Sequence, residues 1–319
     1  MENLKDKITV IITHHTGRLI DRCLASLPGY DIVVVTTDQT YKKTTERLVI
    51  QLGDCQALNN PAYKRNLGSR YTDRKYLAFL DDDTEMLPDT LPKMAEFLDK
   101  NYLGREFTMV YGTLYKMDDH TKLDTAGAFL SWNGFLYEDY TVGTRPVLAS
   151  KSACCMLRRD VFLTVGKFDE TFVIYGEETD LSWRIRRMYG GVYTLKDAIG
   201  YHAFETSLKP KSYYNPYYIH YHGCKNYLTM LLKNLPGNRL YIALLNACAW
   251  FTMAILIVGR NKQASKWILQ GIWYNIKNFK KIMKTRKGNF SIPDYCWKNP
   301  PLSYYFTRAR EYLTHQLHG

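Results

Sequence analysis

The run Tyr76-Leu77-Ala78-Phe79-Leu80 leads directly into Asp81-Asp82-Asp83, and this junction constrains the chain more than any other feature. A short, continuous apolar run is a strand buried on both faces, as in parallel sheets covered by helices. Three adjacent carboxylates repel one another and are costly to desolvate without a compensating cation. They therefore belong at the carboxyl end of the strand, where open α/β sheets bind ligands. Alternate strand residues share a face, which puts Asp81 and Asp83 together and Asp82 opposite. A hard divalent ion, Mg²⁺ or Mn²⁺, bridging to a diphosphate answers the repulsion. The competing reading is a solvated acidic turn ahead of a helix.

The surrounding sequence supplies the rest of such a sheet. Ile8 to Thr13 is a β-branched run, and Leu19, Cys23 (or Leu24) and Leu27 recur at helical spacing until Pro28-Gly29. Ile32 to Val35 is a second strand, ending in Thr36-Thr37-Asp38, and a helix with Pro92 in its first turn covers about 90–101. Further strands are expected at Met109-Val-Tyr-Gly112, 153–157 and 192–201, with a hairpin tip at Asp118-Asp119-His120 and a short helix over 159–165. A helix over about 177–189 carries Leu181, Ile185 and Met188 as its apolar face. Strands alternating with helices predict an α/β fold with a mostly parallel sheet flanked by helices.

A second acidic cluster is Gly176-Glu177-Glu178-Thr179-Asp180. Acids in a first helical turn commonly just complement the dipole, and Asp180 is spaced to pair with Arg184. One of these carboxylates is equally suited to take a proton from a hydroxyl nucleophile. His202 closes the last expected strand. A lone histidine is ordinarily structural, but this one follows an acidic strand end, an acid-rich helix and a strand.

Taken in order, residues 8–207 resemble the family 2 glycosyltransferases of GT-A fold. The resemblance rests on Ile8–Thr13, Asp38, Lys64-Arg65-Asn66-Leu67-Gly68, Leu80-Asp81-Asp82-Asp83-Thr84, Gly166-Lys167-Phe168-Asp169-Glu170, Tyr175 to Leu181, and Tyr201-His202. The nearest subgroup in pattern is the rhamnosyltransferase-like enzymes of surface-polysaccharide assembly. The resemblance implies inverting transfer of a sugar from a nucleotide-diphosphate donor, dTDP- or UDP-linked, to a glycan or lipid-linked acceptor. It implies that Asp83, with Asp81 and His202, holds Mn²⁺ or Mg²⁺. It makes Glu178 the base, in place of the family's aspartate, with Glu177 and Asp180 as alternatives. Asp38 and Thr13 would meet the nucleoside, Asp82 would lie on the donor side, and Arg65 or Asn66 would meet the nucleotide. A catalytically silent nucleotide-sugar binder on the same fold is the alternative.

Composition narrows the class further. Of 319 residues, 46% are hydrophobic and 23% charged, which excludes a disordered chain, a collagen-like fibre and a polytopic transporter. The seven cysteines form no CxxC pair, so neither a zinc site nor a disulfide framework is expected, and a reducing cytoplasm fits. No signal peptide is read at the start. The net charge of +12 is concentrated late: residues 260–319 hold twelve Lys/Arg and two acids, leaving 1–259 nearly neutral. A boundary near 207, with a linker at Lys209-Pro210-Lys211, separates the α/β domain from an aromatic, basic helical region over 208–319. Residues 240–258 carry no charge, and Ile276, Phe279, Ile282 and Met283 interleave with basic residues. These features point to an attachment to the inner face of the cell membrane, with a spanning helix, a buried helix or a homodimer through the C-terminal helices as alternatives. Aromatic–basic interleaving also suits nucleic acid, but the near-neutral main domain argues against such a partner. Trp132, Asn133 and Trp183 are either core or acceptor groove.

Overall fold

The computed structural model describes residues 4–15, 17, 19–41, 47–53, 60–100, 107–204, 215–257, 261–286 and 293–307. They belong to two compact units: Met1–Ala128 with Glu138–Pro210, and Phe129–Tyr137 with Lys211–Gly319. The expected linker at 209–211 lies outside the described residues.

In the first unit, β1 (Ile8–His14), β2 (Asp31–Thr36), β3 (Leu48–Gln51) and β4 (Tyr76–Asp81) are parallel, in spatial order β4-β1-β2-β3. Parallel neighbours need crossovers, which α1 (Leu19–Ala25) and α2 (Pro61–Gly68) help provide. Neither β3 nor α2 is among the sequence expectations. The α2 signal was present: Asn60 caps the helix by accepting from the Tyr63 amide, and Pro61 occupies its first turn. Gly68 is required where α2 meets the sheet, since a Cβ there would lie 2.6 Å from Ile11 Cγ2.

After β4 come β5 (Thr84–Met86), α3 (Thr90–Lys100), β6 (Phe107–Lys116) and β7 (Asp119–Thr125). The hairpin β8 (Ala128–Leu130) and β9 (Leu136–Glu138) is followed by β10 (Arg145–Pro146), β11 (Cys154–Arg158), α4 (Arg159–Thr164), α5 (Glu177–Met188) and β12 (Gly191–His202). The GT-A-type α/β architecture is as expected, but its ten-stranded sheet is mixed. β11 sits between β4 and β6 and runs antiparallel to both. No helix lies between β6 and β11 to carry a parallel crossover, so β11 returns antiparallel, whereas β12, reached through α4 and α5, runs parallel to β6.

The strand period distributes the core to two faces. Ile8, Val10, Ile12, Val34, Ala78 and Leu80 pack with Leu91, Met94, Ala95 and Leu98 of α3. On the opposite face Phe79 meets Phe162 and Phe168, each with ring centroids 5.2 Å away. In α5 the buried apolar residues are Leu181, Trp183 and Ile185; Met188, expected inside, is 51% exposed at the helix end. Trp183 is 1% exposed and is core, not acceptor groove.

The second unit is helical: α6 (Gly223–Asn234), α7 (Gly237–Ile257), α8 (Lys262–Lys277) and α9 (Phe279–Lys284). The apolar spacing from Ile276 to Met283 is not one helix, because α8 ends at Lys277 and Asn278 separates it from α9.

Candidate active site

The parallel register aligns the strand ends that form the site. Thr13 stands beside Asp81 across β1 and β4, and its hydroxyl donates to Asp81 Oδ1 over 3.5 Å. β4 stops at Asp81 and the chain turns through Asp82 and Asp83 into β5. β5 then pairs with β12, setting Thr84 opposite His202. This pairing carries His202 to Asp83, with Nε2 3.4 Å from Asp83 Oδ1. One ligand atom each from Asp81, Asp83 and His202 lie within 4.8 Å of one another. Two carboxylates and an imidazole suit Mn²⁺ or Mg²⁺, the imidazole favouring the softer Mn²⁺. The strand argument grouped Asp81 with Asp83 correctly, although a turn achieves it.

His202 is itself held from behind. Its Nδ1 lies 2.9 Å from the buried Asp124 carboxylate, which also pairs with Lys151 at 2.8 Å. This fixes the ring so that Nε2 faces Asp83, the arrangement by which carboxylates orient metal-binding histidines. Burial disfavours charge on His202, but Asp83 and the Asp124 hydrogen bond outweigh it and raise its pKa to about 10. Burial likewise opposes ionisation of Asp124, and His202 and Lys151 reverse the effect and lower its pKa. Asp124 and Lys151 had no sequence signal, because their roles come from the strand pairing that brings them beneath His202.

Asp82 turns away from that group. Its Oδ2 lies 2.6 Å from His14 Nδ1, and His14 Nε2 is 3.6 Å from Asp38 Oδ2. Burial pushes the Asp82 pKa up against the pull of His14. The Lys64 ammonium donates to the His14 carbonyl at 2.6 Å and to the Thr37 hydroxyl at 3.2 Å, and burial lowers its pKa to about 8. Asp38 and Asp82 are thus joined through His14 at the ends of β1, β2 and β4, while Thr13, the neighbour of His14 in β1, faces Asp81. His14 is the linking residue that sequence reasoning missed.

Arg65 joins the two acidic clusters. Nη2 donates to Asp81 at 2.7 Å and Nη1 to Glu177 at 2.8 Å, with the guanidinium 2% exposed. Burial opposes its charge, but the two carboxylates hold it protonated. Asn66 is differently employed: Nδ2 donates to the Phe168 carbonyl and Glu170 Oε1, and Oδ1 accepts from the Phe168 amide. Both ends of its amide therefore tie the 166–170 loop to α2.

That loop delivers α5 under strain. Val173 has φ 65° and ψ −67°, a γ-turn in which the Ile174 amide donates to the Phe172 carbonyl at 2.8 Å. Tyr175 also has positive φ, and Gly176, at φ 86°, takes the left-handed conformation that begins α5. β-Branched residues at positive φ are costly and concentrate at functional sites. The three acids that follow differ sharply. Asp180 is 0% exposed and accepts from Arg184 Nε at 2.8 Å. Glu177 is buried against Arg65. Glu178 is half-buried and its Oε1 accepts from the Thr179 hydroxyl at 3.0 Å. Burial, then repulsion from Glu177, push the Glu178 pKa up to about 8.

A Rossmann-like half-sheet whose acidic strand end meets a histidine brought from β12 in the other half, beside an acid-rich helix start, defines a GT-A glycosyltransferase. The family model "Glycosyltransferase like family 2" matches residues 40–245, and the chain belongs to that family. O-antigen biosynthesis protein RfbC of Myxococcus xanthus is 25% identical over 194 residues, 52% of this chain and 14% of that protein. The chain therefore spans about a seventh of that relative's length. Among solved structures, GalNAc-T7 with UDP, GalNAc and Mn²⁺ superposes with a TM-score of 0.58 and 13% identity, covering 85% of this chain and 57% of that one. TarS 1-349 of S. aureus gives a TM-score of 0.50 and 15% identity, covering 88% and 90%. At such identities both likenesses concern the fold alone.

Proposed function

We propose that the protein is a metal-dependent inverting glycosyltransferase that moves a sugar from a UDP- or dTDP-linked donor to a hydroxyl of a glycan or lipid-linked acceptor. The observation that carries this reading is the convergence of Asp81, Asp83 and His202 within 4.8 Å, joined through Arg65 to the start of α5. Asp81, Asp83 and His202 would hold Mn²⁺ or Mg²⁺, which when bound offsets charge on the departing diphosphate. The name of the M. xanthus relative supports surface-polysaccharide assembly, and the UDP and Mn²⁺ with GalNAc-T7 support the donor and metal class. Seven cysteines without a disulfide framework support a cytoplasmic active site.

The chain's own residues divide the work. Asp38 and Asp82, organised by His14 and Lys64, receive the nucleoside together with Thr13, which is held on Asp81. Glu178 accepts the acceptor hydroxyl's proton as that oxygen forms the new bond to the anomeric carbon. The old bond breaks with its electron pair on the nucleoside diphosphate, and single displacement inverts the centre. Glu178 is favoured because Asp180 is sealed against Arg184 and Glu177 is neutralised by Arg65. Its raised pKa gives a base matched to near-neutral chemistry.

The test is a screen of UDP- and dTDP-sugars for Mn²⁺-dependent protection against thermal unfolding, followed by turnover of the hits with and without EDTA. Stabilisation by one donor, turnover lost in EDTA, and loss of both in Asp83→Ala are expected. Sugar transfer that persists in excess EDTA would remove the metal role, and donor binding without turnover on any glycan or lipid acceptor would leave a silent binder.

A further inference from the structure

Burial along the second unit singles out one face. The 20-residue stretch Gly237–Leu256 has a mean hydropathy of 1.5, yet only 22% of its most apolar window is buried. Its inward side is narrow and small: Ala243, Ala247, Phe251 and Ala254. Its outward side is Tyr241, Leu245, Cys248, Ala249, Thr252, Met253 and Leu256, a helical stripe without a charge. A core helix would bury these residues; a helix lying in a membrane surface keeps one side against protein and turns the other to the acyl boundary. The same exposure continues on α8 and α9. Leu269, Trp273, Ile276 and Phe279 are exposed, with Trp273 at 63% and Leu256 at 74%.

The α7 and α8 faces meet in an open groove of about 670 Å³ lined by Ile255, Leu256, Leu269 and Trp273, with Lys262 and Lys266 on it as well. Lys262 and Lys266 are one helical turn apart and both exposed, as are Lys277, Lys280, Lys281 and Lys284. From 206 to 293 the chain contains fourteen Lys/Arg and no Asp or Glu. An uncharged apolar surface with a basic surround and no acid is complementary to one surface in particular, an anionic bilayer: apolar groups and Trp enter the acyl boundary while ammonium groups remain among phosphates.

We propose that the α7–α8 face is a docking surface for anionic phospholipid, in which Leu256, Leu269 and Trp273 insert and Lys262 and Lys266 meet headgroup phosphates, with both helices lying in the plane of the membrane. This goes beyond the glycosyltransferase reading and stands whether or not that reading holds, since its test involves no sugar donor.

The full chain is floated with vesicles of phosphatidylcholine alone and of phosphatidylcholine mixed with phosphatidylglycerol, at low and high salt. Binding should require phosphatidylglycerol and weaken with salt. Lys262→Glu with Lys266→Glu should lower partitioning at least about thirtyfold, from about fivefold per lysine. Trp273→Glu with Leu256→Glu should abolish it. All four side chains lie at the surface, and an unchanged circular-dichroism spectrum and melting temperature will show that the variants fold. Three results overturn the proposal: no vesicle binding by the intact protein at low salt; vesicle binding unaltered by both double variants; or a concentration-dependent dimer, or a salt-sensitive nucleic-acid complex, that the Trp273/Leu256 variant loses while vesicles are never bound.

Discussion

Replacing Glu178 by Gln should make the protein more stable and far less active, and the stability gain should depend on pH. In the folded protein the Glu178 pKa is about 8, against 4.5 for an ordinary glutamate. Between those values the unfolded chain has released its proton and the native state retains it. The unfolded state then binds fewer protons, so native stability falls as pH rises through this window. At about 1.36 kcal/mol per pK unit the ceiling is about 5 kcal/mol. The half-buried carboxylate reaches solvent, which relaxes around the ionised form, so about 1–2 kcal/mol is the realistic share. Glutamine is nearly isosteric and never ionises. The variant should therefore match wild type below pH 4.5 and exceed it by that amount above pH 8. For a chain of this size the difference is a few degrees in Tm. The measurement is thermal and urea unfolding of both proteins across pH 4.5–9 without added metal, beside turnover and donor binding. Turnover should fall about 10²–10⁴-fold with donor affinity largely retained. A stability difference that is flat with pH, or a less stable Gln variant at pH 9, would refute the electrostatic account. Full turnover by Glu178→Gln would remove the residue from catalysis.

Two further perturbations separate positioning from chemistry. Asp124→Asn removes the charge that orients His202, so Mn²⁺ affinity measured by titration calorimetry should drop about 10–100-fold while nucleotide binding without metal is unchanged; equal Mn²⁺ affinity in variant and wild type would show that Asp124 only fills space. Asp180→Asn leaves Arg184 without its buried partner and should cost about 3–5 kcal/mol in urea unfolding, whereas a stable but inactive Asp180→Asn protein would transfer the role of base to it.

What the sequence determined is what local rules govern. Apolar runs and turn residues located β1, β2, β4, β11, α3 and α5 to within a few residues, because burial and period are written into neighbouring side chains. The ordered motifs located the acidic strand end, the acid-rich helix and His202. The weaker elements escaped. β3 and β5 are four and three residues long, too short to display a period, and the α2 cap was legible but overlooked. Only tertiary structure decided which of Glu177, Glu178 and Asp180 is accessible, since three acids within one helical turn look alike until Arg65 arrives from α2 and Arg184 from the next turn. Only tertiary structure turned Asn66 inward to the 166–170 loop and set His14 between Asp38 and Asp82. The direction of β11 was equally hidden, because a strand's side-chain pattern reads the same whether its neighbours run parallel or antiparallel. Sequence specifies where each segment is buried; the pairing of distant strands specifies which charges meet, and that pairing sets their ionisation and chemistry.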